Sequence, residues 1–262
     1  MRILLFCPTN RLEKETALSI HTLQYDGALD VMFTRDNPHG ESAHLNIIHN
    51  YKKAERLVMA EGYDALFTVE NDMIIPPDAL TKLVALQADI AYGVYCFRHG
   101  KPTINILRHD DTQESYSLPS NLKAWAKVYN TGPLPCRGLG FGCTLISRKT
   151  LETIPFHSDK GGDADSQLAI DARRLGLKQM TDTTVLCGHK RPDGTVVWPA
   201  KNGFREVGIR EPVKTRLVRA LQAIAYWTPE DVPVIFQMGD VKPMDFETAG
   251  TYVSAGMVEY AD

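Results

Sequence analysis

The feature that most constrains this chain is an alternation over its first hundred residues, where short apolar runs of strand length are separated by amphipathic stretches of helix length. The apolar runs are Arg2 to Cys7, Leu29 to Phe33, Ala65 to Val69 and Asp89 to Phe97. Between them, Leu12 to Gln24, Leu45 to Ala60 and Asp78 to Leu86 read as helices, the second stopped by Gly62 and the third opened by Pro77. Strands that alternate with helices are joined by crossovers and so lie parallel, which predicts an α/β fold with a mostly parallel sheet and flanking helices.

The pattern weakens between residues 99 and 136, a polar stretch with Pro102, Pro119, Pro133 and Pro135 that is expected to be a functional loop or flap. It then resumes with a strand over Phe141 to Ser147, a helical turn over Arg148 to Ile154, a helix over Ser166 to Leu175 before Gly176, and a strand over Thr183 to Cys187. Residues 213 to 227 space Leu217, Leu221, Ile224 and Ala225 as one face of a basic amphipathic helix, and short runs from Pro229 onward suggest a small β extension. The expected organisation is one domain over residues 1 to 200, with a nucleotide-binding half to about residue 100 and a second half beyond it. A C-terminal helix and β extension over residues 201 to 262 complete it.

Composition removes several function classes. No window of the 262 residues reaches the about 18 to 20 unbroken apolar residues that span a bilayer, so no transmembrane segment is expected. The first strand is too short and lacks the flanks of a signal peptide. Five cysteines, an odd number without a CxxC pair, indicate neither a disulfide framework nor a zinc knuckle, and a reducing cytoplasmic location is expected. A formal net charge of -3 supplies no global basic field for nonspecific nucleic-acid binding.

The chemistry-bearing residues gather where strands end. Glu70 and Asp72 follow the third strand at i and i+2, on one side of its carboxyl end, where open α/β sheets bind ligands. Two carboxylates aimed at one point repel unless a cation or proton sits between them; a solvated turn is the plain alternative. Gly138, Gly140 and Gly142 form the entry to a strand at alternate positions, which lets backbone approach a ligand or merely shapes a bulge. Asp165 and Asp163 lie at the start of a helix, as a positioned acid or a simple N-cap would. His189 follows the last strand of the sheet, as a metal ligand or a structural ring.

Around these residues the sequence resembles a known family. Thr68-Val69-Glu70-Asn71-Asp72-Met73-Ile74-Ile75-Pro76-Pro77 is similar to the DxD segment of GT-A glycosyltransferases, especially the family-2 type, with Glu70 in place of the commoner first aspartate. The run from His49-Asn50-Tyr51-Lys52-Lys53-Ala54 to Gly62-Tyr63-Asp64 resembles the helix that leads into that segment, with His49 where arginine is frequent. Gly138 to Arg148 resembles the glycine-rich lead into the strand beneath the sugar, and Asp165 matches the second acid of a pair whose first place is taken here by Ala164.

The resemblance covers about Arg2 to Trp198 and implies a GT-A, Rossmann-like fold. It further implies an enzyme that moves a sugar from a nucleotide diphosphate, a UDP-sugar by the Pro8-Thr9 turn and Asp36, to an acceptor hydroxyl with inversion. Asp165 would be the catalytic base. Asp72, Glu70 and His189 would hold Mn²⁺ or Mg²⁺, and Pro8, Thr9, Asp36, Asn50, Glu70, Asn71, Asp72, Gly140 and Gly142 would line the nucleotide-sugar site. The acceptor stays open among saccharide, protein, lipid and a hydroxylated nucleobase in DNA. Arg98-His99-Gly100-Lys101, and Lys190-Arg191 with Trp198, are further candidate contacts. A nucleotidyltransferase is the rival enzyme and a nucleotide-sugar-binding module without catalysis the rival of another class; the first lacks the Gly-rich basic loop it needs after strand one.

Overall fold

The computed structural model describes residues 1–9, 11–40, 42–97, 104, 107–108, 122–157, 164–208, 215–221, 224–227, 233–245 and 257–260. Its first half is built as the alternation predicts: β1 (Arg2–Pro8), α1 (Lys14–His21), β2 (Ala28–Thr34), α2 (Ala43–Glu61), β3 (Ala65–Val69), a short β4 (Met73–Ile74), α3 (Ala79–Ala85) and β5 (Ile90–Val94). The second half adds β6 (Leu107–Arg108), α4 (Leu122–Val128), β7 (Pro133–Gly138), β8 (Cys143–Ser147), α5 (Arg148–Thr153), α6 (Ala164–Arg174) and β9 (Gln179–Leu186).

These strands form one sheet in the order β2-β1-β3-β8-β5-β9-β7-β6. Six run the same way, and β8 and β7 are reversed. This is the Rossmann-like, mostly parallel α/β architecture that the GT-A resemblance implies.

Side-chain alternation explains why the strands read as unbroken apolar runs. Ile3, Leu5 and Cys7 of β1 pack with Ile20 of α1 and Leu80 and Leu83 of α3, whereas Leu4 and Phe6 pack on the other face with Tyr51, Ala54 and Val58 of α2 and Leu168 of α6. Both faces are covered, so neither parity can be polar. Each fully buried Leu, Ile or Phe contributes about 1.5–3 kcal/mol. Helix α2 is bounded as its sequence suggests: Ser42 Oγ accepts from Leu45 N at 3.4 Å, and Gly62 adopts φ +73° to turn the chain into β3.

Two expectations are corrected. The polar stretch to residue 136 is not all loop, because residues 122–128 form α4 and residues 133–138 form β7. Trp125 anchors α4 by donating Nε1–H to Ala200 O at 2.7 Å. Pro133 and Pro135 fit in a strand because residues two apart direct their N–H positions to the same edge, leaving the other edge to pair. Residues 213 to 227 are not a helix: the described part is β13 (Thr215–Ala220) and β14 (Ile224–Trp227). Its apolar spacing matches a helix, but Val218 and Ile224-Ala225-Tyr226-Trp227 favour extended chain, and tertiary pairing decides. β13 pairs antiparallel with β16 (Val241–Asp245) and β17 (Val258–Tyr260), and β14 with β15 (Pro233–Phe236).

The chain divides into two compact units, one of Met1–Lys190 with Val196–Glu206 and one of Arg191–Thr195 with Val207–Asp262. β4, β10 (Gly188–Lys190), β11 (Val196–Ala200) and β12 (Gly203–Val207) make a second small sheet in the order β12-β11-β10-β4. No described helix is long and apolar enough to cross a membrane.

Gly138 sets the seat of α6. It has φ +134°, and a Cβ there would lie 2.4 Å from Ala169 Cβ. Gly138→Ala therefore combines backbone strain with overpacking and should cost about 3 kcal/mol in urea unfolding. A loss below about 1 kcal/mol would show that α6 is not seated on this glycine.

Candidate functional site

Strand register brings three chain ends to one edge of the main sheet. Pro8 stands opposite Thr34 across β1–β2 and Phe6 opposite Thr68 across β1–β3, so Thr9 and Glu70 leave the sheet near the end of β2. Because β2 and β3 flank β1 on opposite sides, their connections diverge here and open a crevice. A cleft of about 240 Å³ occupies it. Its walls are Pro8 and Thr9 after β1, Thr34 and Asn37 at the end of β2, Asn46, Ile47, Asn50 and Tyr51 of α2, and Glu70, Asn71 and Asp72 after β3.

The acidic turn is held from three directions. Met73 N donates to Glu70 O at 3.1 Å, and Glu70 N donates to Gly142 O at 3.4 Å. Asn71 O accepts from Thr16 Oγ1 at 2.9 Å while its side-chain amide donates to Arg11 O at 2.7 Å, so Asn71 fastens the segment after β1 to the turn. Lys190 N donates to Asp72 O at 2.8 Å, and β4 pairs with β10 through Gly188 opposite Ile74 and His189 opposite Met73.

That pairing aims His189 at Asp72. Both are buried, each with 7% of its surface exposed, and His189 Nε2 lies 3.5 Å from Asp72 Oδ1. His189 Nδ1 is 2.8 Å from Cys96 O. A carbonyl can only accept, so Nδ1 carries a hydrogen and Nε2 is the ring nitrogen that faces the carboxylate. A carboxylate oxygen and an imidazole nitrogen at this separation are a mixed donor pair for a divalent ion such as Mn²⁺; Mg²⁺ prefers oxygen ligands alone. Among the described residues no group of three or more His, Cys, Asp or Glu could hold a metal ion, so Glu70 does not close a three-ligand cluster with this pair. The nearby Cys7 thiol is pushed up to about 12 by burial, with the Asp72 and Glu70 charges adding, and stays protonated.

The opposite wall is polar and pre-organised. Asn50 accepts from Thr34 Oγ1 at 2.9 Å and donates to Asp36 O and Asn46 O, both at 2.8 Å. Asp36 pairs through Oδ2 with Lys53 Nζ at 2.5 Å, which lowers its pKa, and it is Asn37 rather than Asp36 that lines the cleft. Thr9 N donates to Thr34 O at 2.8 Å, while the buried Thr9 hydroxyl has no hydrogen-bond partner among the described residues.

Gly140, Gly142 and Asp165 are not among the lining residues. Gly140 O accepts from Thr144 Oγ1 at 2.8 Å, and a Cβ at Gly142 would lie 3.0 Å from the Tyr95 ring and 3.1 Å from Met73 Sδ, so these positions support the acidic turn from behind. Asp165, in the first turn of α6, accepts from Ser166 N at 2.6 Å. Burial, with the Glu70 and Asp165 charges adding, raises the Tyr51 phenol well above the usual tyrosine range. Asp163 and Arg98 to Lys101 fall outside the described residues. Trp198 packs over Gly188, with Arg205 5.9 Å above its ring centroid, and Lys190 is paired with Glu13 and Glu15 at 2.8 and 2.7 Å.

Sequence reasoning missed Thr34, Asn37, Asn46, Ile47 and Tyr51. A signal for two of them is present: Asn46 and Asn50 are one helical turn apart and both buried, an unusual polar pair on the inward side of a helix.

No protein-family model matches this chain, and no curated protein matches it in sequence. Among solved structures the fold is similar to A197 from STIV, with 16% identity over 94% of this chain and 98% of that one and a TM-score of 0.49. It is also similar to the mannosyltransferase PcManGT from Pyrobaculum calidifontis, in complex with GDP-Man and Mn²⁺, with 18% identity over 69% of this chain and 54% of that one and a TM-score of 0.42. A third likeness is to a glycosyltransferase involved in glycosylation of the major capsid of PBCV-1, with 9% identity over 69% of this chain and 82% of that one and a TM-score of 0.40.

Proposed function

We propose that this chain is a glycosyltransferase that binds a nucleotide-diphosphate sugar in the cleft at the ends of β2, β1 and β3 and transfers the sugar to an acceptor hydroxyl. The observation that carries the reading is the buried Asp72–His189 pair, 3.5 Å apart beside that cleft. Asp72 and His189 are the protein's share of a site for a divalent ion such as Mn²⁺, and Glu70 on the cleft wall is left to the ribose hydroxyls. When bound, the cation supplies positive charge against the leaving diphosphate.

The polar wall of Thr9, Thr34, Asn37 and Asn50 receives the nucleoside, taken as uridine from the Pro8-Thr9 turn and the Asp36 region. Asp165 accepts the proton of the acceptor hydroxyl as its oxygen bonds to the anomeric carbon. The bond from that carbon to the diphosphate oxygen breaks on the opposite face, giving inversion. A second reading, a binding module without transfer, has no need of a base, and the Asp165 carboxylate is already engaged by Ser166 N within the first turn of α6.

The direct test is a panel of UDP-, GDP- and CDP-sugars with Mn²⁺, scored for binding and donor hydrolysis. Binding of none rejects the function. A preference for GDP over UDP above about tenfold, ~1.4 kcal/mol, rejects only the uridine assignment.

Asp72→Ala should weaken Mn²⁺-dependent nucleotide binding by more than about tenfold in calorimetry, and parental affinity in that variant would remove Asp72 from the site. Asp165→Asn should lower transfer by about 10²- to 10⁴-fold with donor affinity unchanged. Transfer at the parental rate would remove Asp165 as the base and point to Asp163 or to a retaining mechanism, whereas donor binding by the parent with no transfer would favour the binding module.

A further inference from the structure

Tyr51 is the anomaly of the cleft. Its ring is 1% exposed and wedged among Phe6, Phe141 and Phe156, with centroids 5.3, 4.8 and 5.3 Å away. Other buried phenols use their hydroxyls: Tyr92 donates to Gln179 Oε1 at 2.8 Å and Tyr63 to Asp30 Oδ2 at 2.9 Å. The Tyr51 hydroxyl has no hydrogen-bond partner among the described residues, although Tyr51 forms part of the cleft wall with Thr9, Glu70 and Asp72. Phenylalanine would fill the same aromatic nest without leaving a polar atom buried and unsatisfied, so the hydroxyl is a cost to the empty fold. Such a cost is offset when a ligand supplies the missing partner.

The place of the hydroxyl says which part of the ligand that is. The Tyr51 ring packs on Phe141, which leads into β8, and on Phe156, whereas Thr34 and Asn37 of the nucleoside wall close β2 at the edge of the sheet, with β1 and β3 between β2 and β8. A group set inward from the edge that receives the nucleoside meets the transferred sugar rather than the base or ribose. We infer that Tyr51 is a specificity-determining residue whose buried hydroxyl hydrogen-bonds a hydroxyl of the transferred sugar. The assignment rests on the glycosyltransferase reading above. It gives the site a means of rejecting a donor that lacks the matching hydroxyl, because binding such a donor would leave Tyr51 still unsatisfied.

The test is Tyr51→Phe, which keeps the ring and deletes one oxygen. Calorimetry with Mn²⁺ compares UDP with UDP-glucose, and GDP with GDP-mannose, on the parent and the variant. The expected result is unchanged affinity for the bare nucleoside diphosphate, affinity for the sugar nucleotide lowered by about 5- to 10-fold, and a melting temperature equal to or above the parent's. Equal sugar-nucleotide affinity in parent and variant overturns the assignment while leaving the transferase reading intact. An equal loss for bare and sugar-bearing nucleotides also overturns it, since that marks a packing role. If the parent binds neither pair, the transferase reading fails and the Tyr51 assignment fails with it.

Discussion

The backbone hydrogen bond from Lys190 N to Asp72 O, at 2.8 Å, ties the acidic turn after β3 to the strand that carries His189. Everything proposed about the site depends on that clamp. An isolated two-residue strand such as β4 has little stability of its own. Pairing with β10 fixes it, and the same pairing sets His189 opposite Met73, one residue from Asp72. The ring is then locked from its other side by Cys96 O. Two groups 117 positions apart in sequence are thereby held 3.5 Å from each other by backbone pairing. A pair held ready in this way avoids the ordering cost that would otherwise be charged against binding.

The second constraint is the double burial of the main sheet. With α2 and α6 on one face and α1 and α3 on the other, β1 and β3 are buried along their length and meet a ligand at their ends, while β2 is the more exposed edge strand. The two ends are not equivalent. At the amino end Arg2 is consumed by Asp30, Asp64 and Glu61, which closes that edge as structure. At the carboxyl end the chain leaves in diverging directions, and the side chains of Asn46 and Asn50 brace the gap by bonding back to the β2–α2 connection. The cleft is thus a by-product of topology, and its chemistry is set by the few residues that topology leaves there.

Much of this was legible in the sequence because it is local. The apolar runs, Gly62 after α2 and Pro77 before α3 mark the first four large strands and the helices between them, and the position of Glu70 and Asp72 at a strand end follows directly. What escaped is non-local. Nothing in the run from Thr215 to Trp227 says that β13 will find partners in β16 and β17, and its helical spacing of leucines is as good as that of a real helix. Likewise the crowding at Gly142, where the Tyr95 ring and Met73 Sδ occupy the space a side chain would need, comes from residues distant in the sequence. Tyr51 reads as an ordinary core aromatic, and only the packing around its hydroxyl sets it apart.

The central claim is that Asp72 and His189 present one oxygen and one nitrogen to a divalent cation beside a nucleotide seated at the ends of β2, β1 and β3. Crystals soaked with Mn²⁺ and UDP, measured at the manganese absorption edge, address it most directly. The account predicts a single strong anomalous peak within bonding distance of both the Asp72 carboxylate and His189 Nε2, touching the diphosphate of a nucleotide that lies along Thr9, Thr34 and Asn50. A peak away from this pair, or a nucleotide bound elsewhere on the molecule, would contradict it.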